Sequence, residues 1–323
     1  MKNRSAISAS IVALVAVAAH DAAAQSYPTK PIRLVVPFAA GGPNDVIGRV
    51  VAQKVSEQIG QAIVVENRPG AGGAVGTAVV KDSPPDGYTI LISGTSSLAI
   101  NPALYKKLPY DPLKDFTAVS LVGTAPSLLV MHPSVPVKTV KDLIALARSR
   151  PGQINYASGG IGSAPHLAGE LLNSMAKIKM VHIPFRGGGP SLTGVMTGQA
   201  DLFMGGLSAA LPPVKAGRLL AIAVTSTKRS QFVPQIPTIA ETLPGYDVLN
   251  WYAIFAPAAT PKDIVSRLNS EIVKAMATPE LKKRFHDLGT EASTSTPEEL
   301  GAYHAREMKK WAQIVQSAGI KVE

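Results

Sequence analysis

Five stretches of this 323-residue chain set glycine or small polar residues between an apolar, strand-like run and a helix-like one. They are "PFAAGGPND" (37–45), "NRPGAGGAVG" (67–76), "SGTSS" (93–97), "ASGGIGSAPHLAG" (157–169) and "PFRGGGPS" (184–191). Glycine lets the backbone turn tightly and approach a ligand. The N–H groups at a helix start add partial positive charge. Loops of this kind cradle anions, phosphate and carboxylate alike. In an open α/β sheet ligands bind beyond the carboxyl ends of the strands, where such loops enter helices. The repetition therefore predicts a cleft lined with N–H donors from several sides.

Phosphate is the first anion to weigh. Gly70-Ala71-Gly72-Gly73-Ala74-Val75-Gly76 approaches a dinucleotide fingerprint, but its spacing is G-x-G-x-x-x-G instead of G-x-G-x-x-G. The next strand-like run ends near Ser93 with no Asp or Glu to hold a ribose hydroxyl, and no G-x-x-x-x-G-K-[ST] occurs. Nucleotide binding is thus poorly supported.

Catalysis fares no better. With no cysteine there is neither a thiolate nucleophile nor a thiolate zinc site. His132, His166, His182, His286 and His304 form no H-x-x-x-H or H-E-x-x-H pair, and no G-x-S-x-G elbow is present. Ser163 and His166, three apart at an expected helix start, are the nearest approach to a dyad. Without an orienting acid they read as a capping serine and a structural histidine. Asp45 reads as a helix N-cap or first-turn acid and Asp201 as a strand-start turn residue. The expectation is a binding protein, not an enzyme, with no cofactor and no metal.

Stepping outward from the loops, short apolar runs alternate with stretches of helical spacing. Strands are expected at Ile32–Val36, Ile63–Val65, Thr89–Ile92, Val119–Val122, Leu128–Met131, Ile154–Ala157, Met180–Ile183, Leu202–Met204, Leu219–Val224 and Ala253–Ala256. Helices are expected over Asp45–Ile59, Val140–Ala147, Pro165–Met175, Pro190–Thr197, Ile264–Met276 and Pro297–Ser317. This alternation predicts α/β layers with largely parallel sheets, covered on both faces. Breaks at Gly123–Pro126 and across the Pro-punctuated Ser230–Asn250 suggest that the chain leaves a first domain and returns to it. The predicted division is 25–125 plus 250–323 for the first domain and 126–249 for the second.

The first two dozen residues carry Lys2 and Arg4, an apolar run Ala6–Ala19 and small residues up to Ala24. That layout predicts a cleaved secretory signal over 1–24 and an exported, disulfide-free mature chain. The formal net charge of +10 over the whole chain favours anionic small partners. Basic residues fall singly, without interleaved aromatics, so nucleic acid is not indicated. Nor does the mature chain hold an apolar run long enough for membrane insertion.

These motifs, in order, resemble those of the extracytoplasmic solute receptors of tripartite tricarboxylate transporters, the Bug-type receptors. The match is carried by "YPTKPIRLVVPFAAGGPNDVIGR" (27–49), "VVENRPGAGGAVG" (64–76), "DGYTILI" (86–92), "YASGGIGSAPHLAGELL" (156–172), "HIPFRGGGPSLTGVMTGQAD" (182–201), "AVTSTKRS" (223–230) and "PTIAE" (237–241). The resemblance implies a type II periplasmic-binding-protein fold, with two α/β domains, hinge strands and a carboxylated ligand between them. It implies a receptor that presents its ligand to a membrane permease; a monomer that closes on its ligand is expected, with a ligand-binding sensor of the same pocket, or an exported serine hydrolase using Ser163 and His166, as the alternatives. Carried over by position, Phe38, Ala40, Gly41, Gly42, Asn44 and Asp45 form a first carboxylate cradle. Thr95 and Ser96 close it, Ser158, Gly162, Ser163 and His166 face it, and Arg186 and Gly187 stand nearby. Two departures bear on the ligand. Pro43-Asn44 precede Asp45 where relatives often have Ser or Thr, and Gly205-Gly206 stand where many carry an acid. Without that acid an ammonium group lacks its partner, which favours a di- or tricarboxylate or an aromatic acid over an amino acid.

Overall fold

A computed structural model describes residues 27–320; the expected signal segment, 1–24, lies outside them. The chain opens with β1 (Ile32–Val36), α1 (Pro43–Ile59), β2 (Ile63–Asn67), α2 (Ala74–Lys81) and β3 (Thr89–Gly94). A π-helical turn, Thr95–Ile100, then runs into the short α3 (Asn101–Leu104). In α1, Ile47, Val51 and Val55 recur at one helical face and are buried. The helix stops at Gly60, whose left-handed backbone returns its N–H to Ser56 O.

Next comes β4 (Phe116–Met131), a single strand of 16 residues where two short ones were expected. Its first part pairs antiparallel with β9 (Leu249–Pro257), from Phe116↔Pro257 to Pro126↔Leu249. From Ser127 to Met131 its partners become β7 (Leu202–Gly206) and β8 (Leu220–Val224). Gly123 and Pro126 therefore do not break the strand. Pro126 stands where one set of partners gives way to the next, so its missing N–H weakens neither ladder's interior.

One sheet runs β2-β1-β3-β9-β4, with β1 parallel to both β2 and β3. The other runs β4-β7-β5-β6, in which β5 (Asn155–Ser158) is parallel to β6 (Val181–Pro184) and β7. Helices α4 (Val140–Ser149), α5 (Ala164–Ala176), α6 (Gly188–Met196) and α7 (Leu207–Lys215) belong to this second lobe. After β9 the chain forms α8 (Lys262–Ala277), α9 (Pro279–Asp287), β10 (Glu291–Ala292) and α10 (Pro297–Ala318). The first sheet is covered on both faces. Val265, Leu268 and Ile272 of α8 pack with α1 on one side, and Leu300, Trp311 and Ile314 of α10 lie on the other. Helix α10 packs on the π-turn and also on α5 of the second lobe.

Candidate functional site

The carboxyl ends of β1, β2 and β3 bring three of the glycine loops together. A Cβ on Gly73 would lie 3.0 Å from the Phe38 ring and 3.1 Å from Ser97 Cβ, so residues of all three touch. Asn67 Nδ2 ties them further, donating to Phe38 O at 3.1 Å and to Asp45 Oδ1 at 2.9 Å. Asn101 Nδ2 holds the second loop through Gly72 O at 3.0 Å. At the start of α1 the N-cap is Gly42 and Pro43 occupies the first helical position. Among the described residues the amides of Asn44 and Asp45 have no backbone acceptor, and the buried Asn44 Oδ1 has no partner.

Asp45 sits in this cradle but its side chain is spent. The carboxylate, 3% exposed, accepts from Gly41 N–H at 2.8 Å, Arg49 Nε at 3.1 Å and Asn67 Nδ2. Burial pushes its pKa up, but these hydrogen bonds and the Arg49 charge outweigh that and hold it below the usual carboxylate range. Asp45 therefore shapes the loop. Thr95 is committed likewise: its hydroxyl donates to Leu249 O at 3.3 Å and accepts from Trp251 N–H at 3.0 Å. Ser96, half-buried, makes no side-chain hydrogen bond among the described residues.

In the second lobe, Ser158 closes β5 and its hydroxyl bonds His182 Nε2 at 2.6 Å and the Gly160 backbone. Ser163 Oγ donates to Gly160 O at 2.7 Å, and His166 Nδ1 accepts from Gly162 N–H at 3.1 Å. Ser163 and His166 thus each brace the loop backbone and form no dyad. Ser163 takes the N-cap position of α5, but its hydroxyl points back to Gly160 and caps nothing. Ser158 and His182 do pair, yet the serine is wholly buried. The His166 ring stacks on His182 at 4.0 Å between centroids, and His182 stacks on Tyr156. Burial, then the neighbouring His182, push His166 down to about 4; burial lowers His182 as well. Both rings are therefore neutral near pH 7. Arg186 is exposed and makes no hydrogen bond or ion pair among the described residues, leaving its guanidinium available. A Cβ on Gly159 would lie 3.3 Å from Gly187, so these two loops adjoin. The lobes meet where Gly162 faces Leu104 of α3: a Cβ there would come within 2.6 Å of Leu104 Cδ1.

Helix capping separates the cleft from the rest of the molecule. The helices starting beyond the carboxyl ends of strands, α1, α2, α5, α6 and α7, all lack a side-chain cap. Elsewhere α4, α9 and α10 are capped by Thr139, Thr278 and Thr296; α3, which continues the π-turn, and α8, entered through Pro261, are the exceptions. A capping side chain would consume the N–H groups an anion needs. Sequence reading missed Arg49 and Asn67, the braces of Asp45, and His182, the partner of Ser158. The i,i+4 spacing of Asp45 and Arg49 was a signal for the first. The other two follow from strand register, which pairs Val36 with Asn67 and Tyr156 with His182.

The tripartite tricarboxylate transporter family receptor model matches residues 47–320. BugT of Bordetella pertussis is 35% identical over 302 residues, covering 93% of each chain. A protein of the tcbD–tcbE intergenic region of Pseudomonas sp. is 38% identical, over 90% of this chain and 87% of that one. Among solved structures, a protein of R. palustris determined with adipate superposes with a TM-score of 0.83 at 34% identity, covering 91% of this chain and 99% of its own. MatC of Rhodopseudomonas palustris with bound malate gives 0.79 at 32%, covering 90% and 100%. With its two α/β lobes joined through β4 and β9 and its uncapped helix starts, this chain belongs to the tripartite tricarboxylate transporter receptor family of solute-binding proteins.

Proposed function

We propose that the protein captures a small organic carboxylate between its lobes in the periplasm and hands it to the membrane permease of a tripartite transporter, without chemical change. The observation that carries this reading is the set of helix starts left uncapped at the cleft, and the adipate and malate bound by structural relatives agree with it. The amides of the Phe38–Asp45 loop and Ser96 form the first-lobe wall. Gly162, Gly187 and the Arg186 guanidinium form the second, while Asp45, Thr95, Ser158, Ser163 and His166 hold these groups in place. Charge-assisted hydrogen bonds contribute about 1.5–3 kcal/mol each. Four or five reach the roughly −8 kcal/mol of micromolar binding after ordering costs. Gly205-Gly206 offer no carboxylate to an ammonium, so a di- or tricarboxylate or an aromatic acid fits better than an amino acid. Among the described residues no helix is long and apolar enough to cross a membrane. The lobes divide at 125/126 and 249/250, a division supported by the change of partners along β4. The receptor works as a monomer.

A thermal-shift panel of dicarboxylates, tricarboxylates, aromatic acids, amino acids and sugars tests the reading, since a ligand bound only by the native state raises the midpoint. Stabilisation by members of the first three classes is expected. Stabilisation by sugars or cationic amines alone would sink it.

A further inference from the structure

The second lobe carries a charge the cleft does not explain. Residues 126–249 hold 11 Lys and Arg against 5 Asp and Glu. Six of the basic side chains gather on one rim. Strand register places Met131, Leu202 and Leu220 level with one another and with the starts of β5 and β6. The segments entering these strands bring Arg148 and Arg150, Lys177 and Lys179, and Lys215 and Arg218 to that end, all exposed. Two contacts confirm the neighbourhood: Arg148 Nη2 donates to Ala176 O at 2.8 Å, and Gly152 N–H to Lys179 O at 2.8 Å. None of the six has a carboxylate within ion-pair reach among the described residues. Asp201, the one acid entering the sheet here, receives Asn155 N–H at 2.6 Å. The cleft lies at the opposite end of the same strands.

Helix C-termini explain only part of this charge. Helices α4, α5, α6 and α7 all end at the rim, and each C-terminus is worth about half a negative charge. Together with Asp201 they offset about three of the six positive charges, leaving a surplus of about three. Protein interfaces are built on aromatic anchors and are poor in lysine. This rim exposes three lysines and no Phe, Tyr or Trp. Spread, long-stemmed basic side chains without a pocket suit a diffuse anionic surface. We propose that this rim docks the receptor on anionic phospholipid headgroups, so that it searches for its permease along the membrane surface.

The test is co-sedimentation of the receptor with vesicles of one part phosphatidylglycerol to two parts phosphatidylcholine, and with phosphatidylcholine alone. Binding to the anionic vesicles only, at about 0.05 M salt, and its loss near 0.5 M, are expected. Replacing Arg150, Lys177, Lys179 and Arg218 by Gln should cut the bound fraction about tenfold. The same change at Lys106, Lys107, Lys262 and Lys309, exposed residues elsewhere, removes equal charge and should leave most binding intact. Ligand-induced thermal stabilisation serves as the folding check for both variants and is expected to be unchanged. Equal losses in the two variants would show a net-charge effect and overturn the proposal. So would absence of binding to anionic vesicles, or binding only when the vesicles also carry the permease.

Discussion

Protonating His166 would place a charge inside the support of the second-lobe loop, against the neutral ring of His182. Facing it are Tyr156 and His182 from the sheet, with Glu170 of its own helix held by the Tyr156 hydroxyl. The other element packed on α5 is α10, where Glu307 is bonded to Trp311 and Lys310, Lys310 also reaches Asp247, and His304 meets Leu98 O. Among the described residues no carboxylate forms an ion pair with the His166 ring. A histidine whose folded pKa is depressed to about 4 from 6.5 binds its proton first in the unfolded chain. Stability is then complete above 6.5 and is lost as pH falls toward 4. His166 alone should remove about 1.5 kcal/mol between pH 6.5 and about 5. His166→Asn keeps an acceptor for Gly162 N–H but does not titrate, so its urea midpoint should fall less over this window. An unchanged slope would assign the loss elsewhere. Much of the site was legible at this scale, because glycine loops and helix starts announce themselves in sequence. What was not legible is which side chains face the ligand and which brace the loop. Asp45, Thr95 and Ser163 all look like ligand contacts until the partners Arg49, Leu249 and Gly160 appear, and two of these come from far along the chain or through the backbone.

Among the elements, the loop between β5 and α5 governs how the lobes meet. Gly162 has a φ of +78°, a conformation L side chains rarely adopt, and it abuts Leu104 across the cleft. Gly162→Ala combines backbone strain of about 1–2 kcal/mol with a wedge between the lobes. Leu104 is itself buried, so it has little room to yield to the added methyl. The expected outcome is a midpoint lowered by a few degrees and a tenfold or greater loss of carboxylate affinity by calorimetry, which corresponds to about 1.4 kcal/mol. Undiminished affinity would mean that closure does not bring Gly162 against α3. Element identity was the easiest thing to read in the sequence: β1, α1, α4 and α10 fall within two residues of their periodic patterns. The length of β4 was not readable. Gly123 and Pro126 mark a strand break by every local rule, and only the handover between partners removes the penalty.

For the whole molecule the question is what holds two lobes together where the chain crosses between them, and the crossing strands answer it through one buried residue. Thr225, just past β8 and wholly buried, is bonded to both crossings. Its hydroxyl accepts from Ser127 N–H at 2.8 Å and donates to Val248 O at 2.7 Å. Its backbone repeats the pattern, with Thr225 N–H to Ser127 O at 3.0 Å and Val248 N–H to Thr225 O at 2.9 Å. Ser127 lies where β4 changes partners, and Val248 immediately precedes β9, so one residue ties the two chain passages together. Thr225→Val preserves shape but strands a buried N–H and a buried C=O, each costing about 1–3 kcal/mol. Thr225→Ser restores the hydroxyl and should recover most of that loss. If the clasp fixes the hinge axis, the Val variant should show a wider spread of lobe angles without ligand, seen as a larger radius of gyration in small-angle scattering. Saturating carboxylate should pull it back to the compact form, because closure contacts lie at the cleft and are untouched. A variant that is destabilised yet keeps the parent's radius in both states would place the hinge elsewhere, and Asn250, which bonds Ser127 Oγ at 3.4 Å, would be the next residue to change.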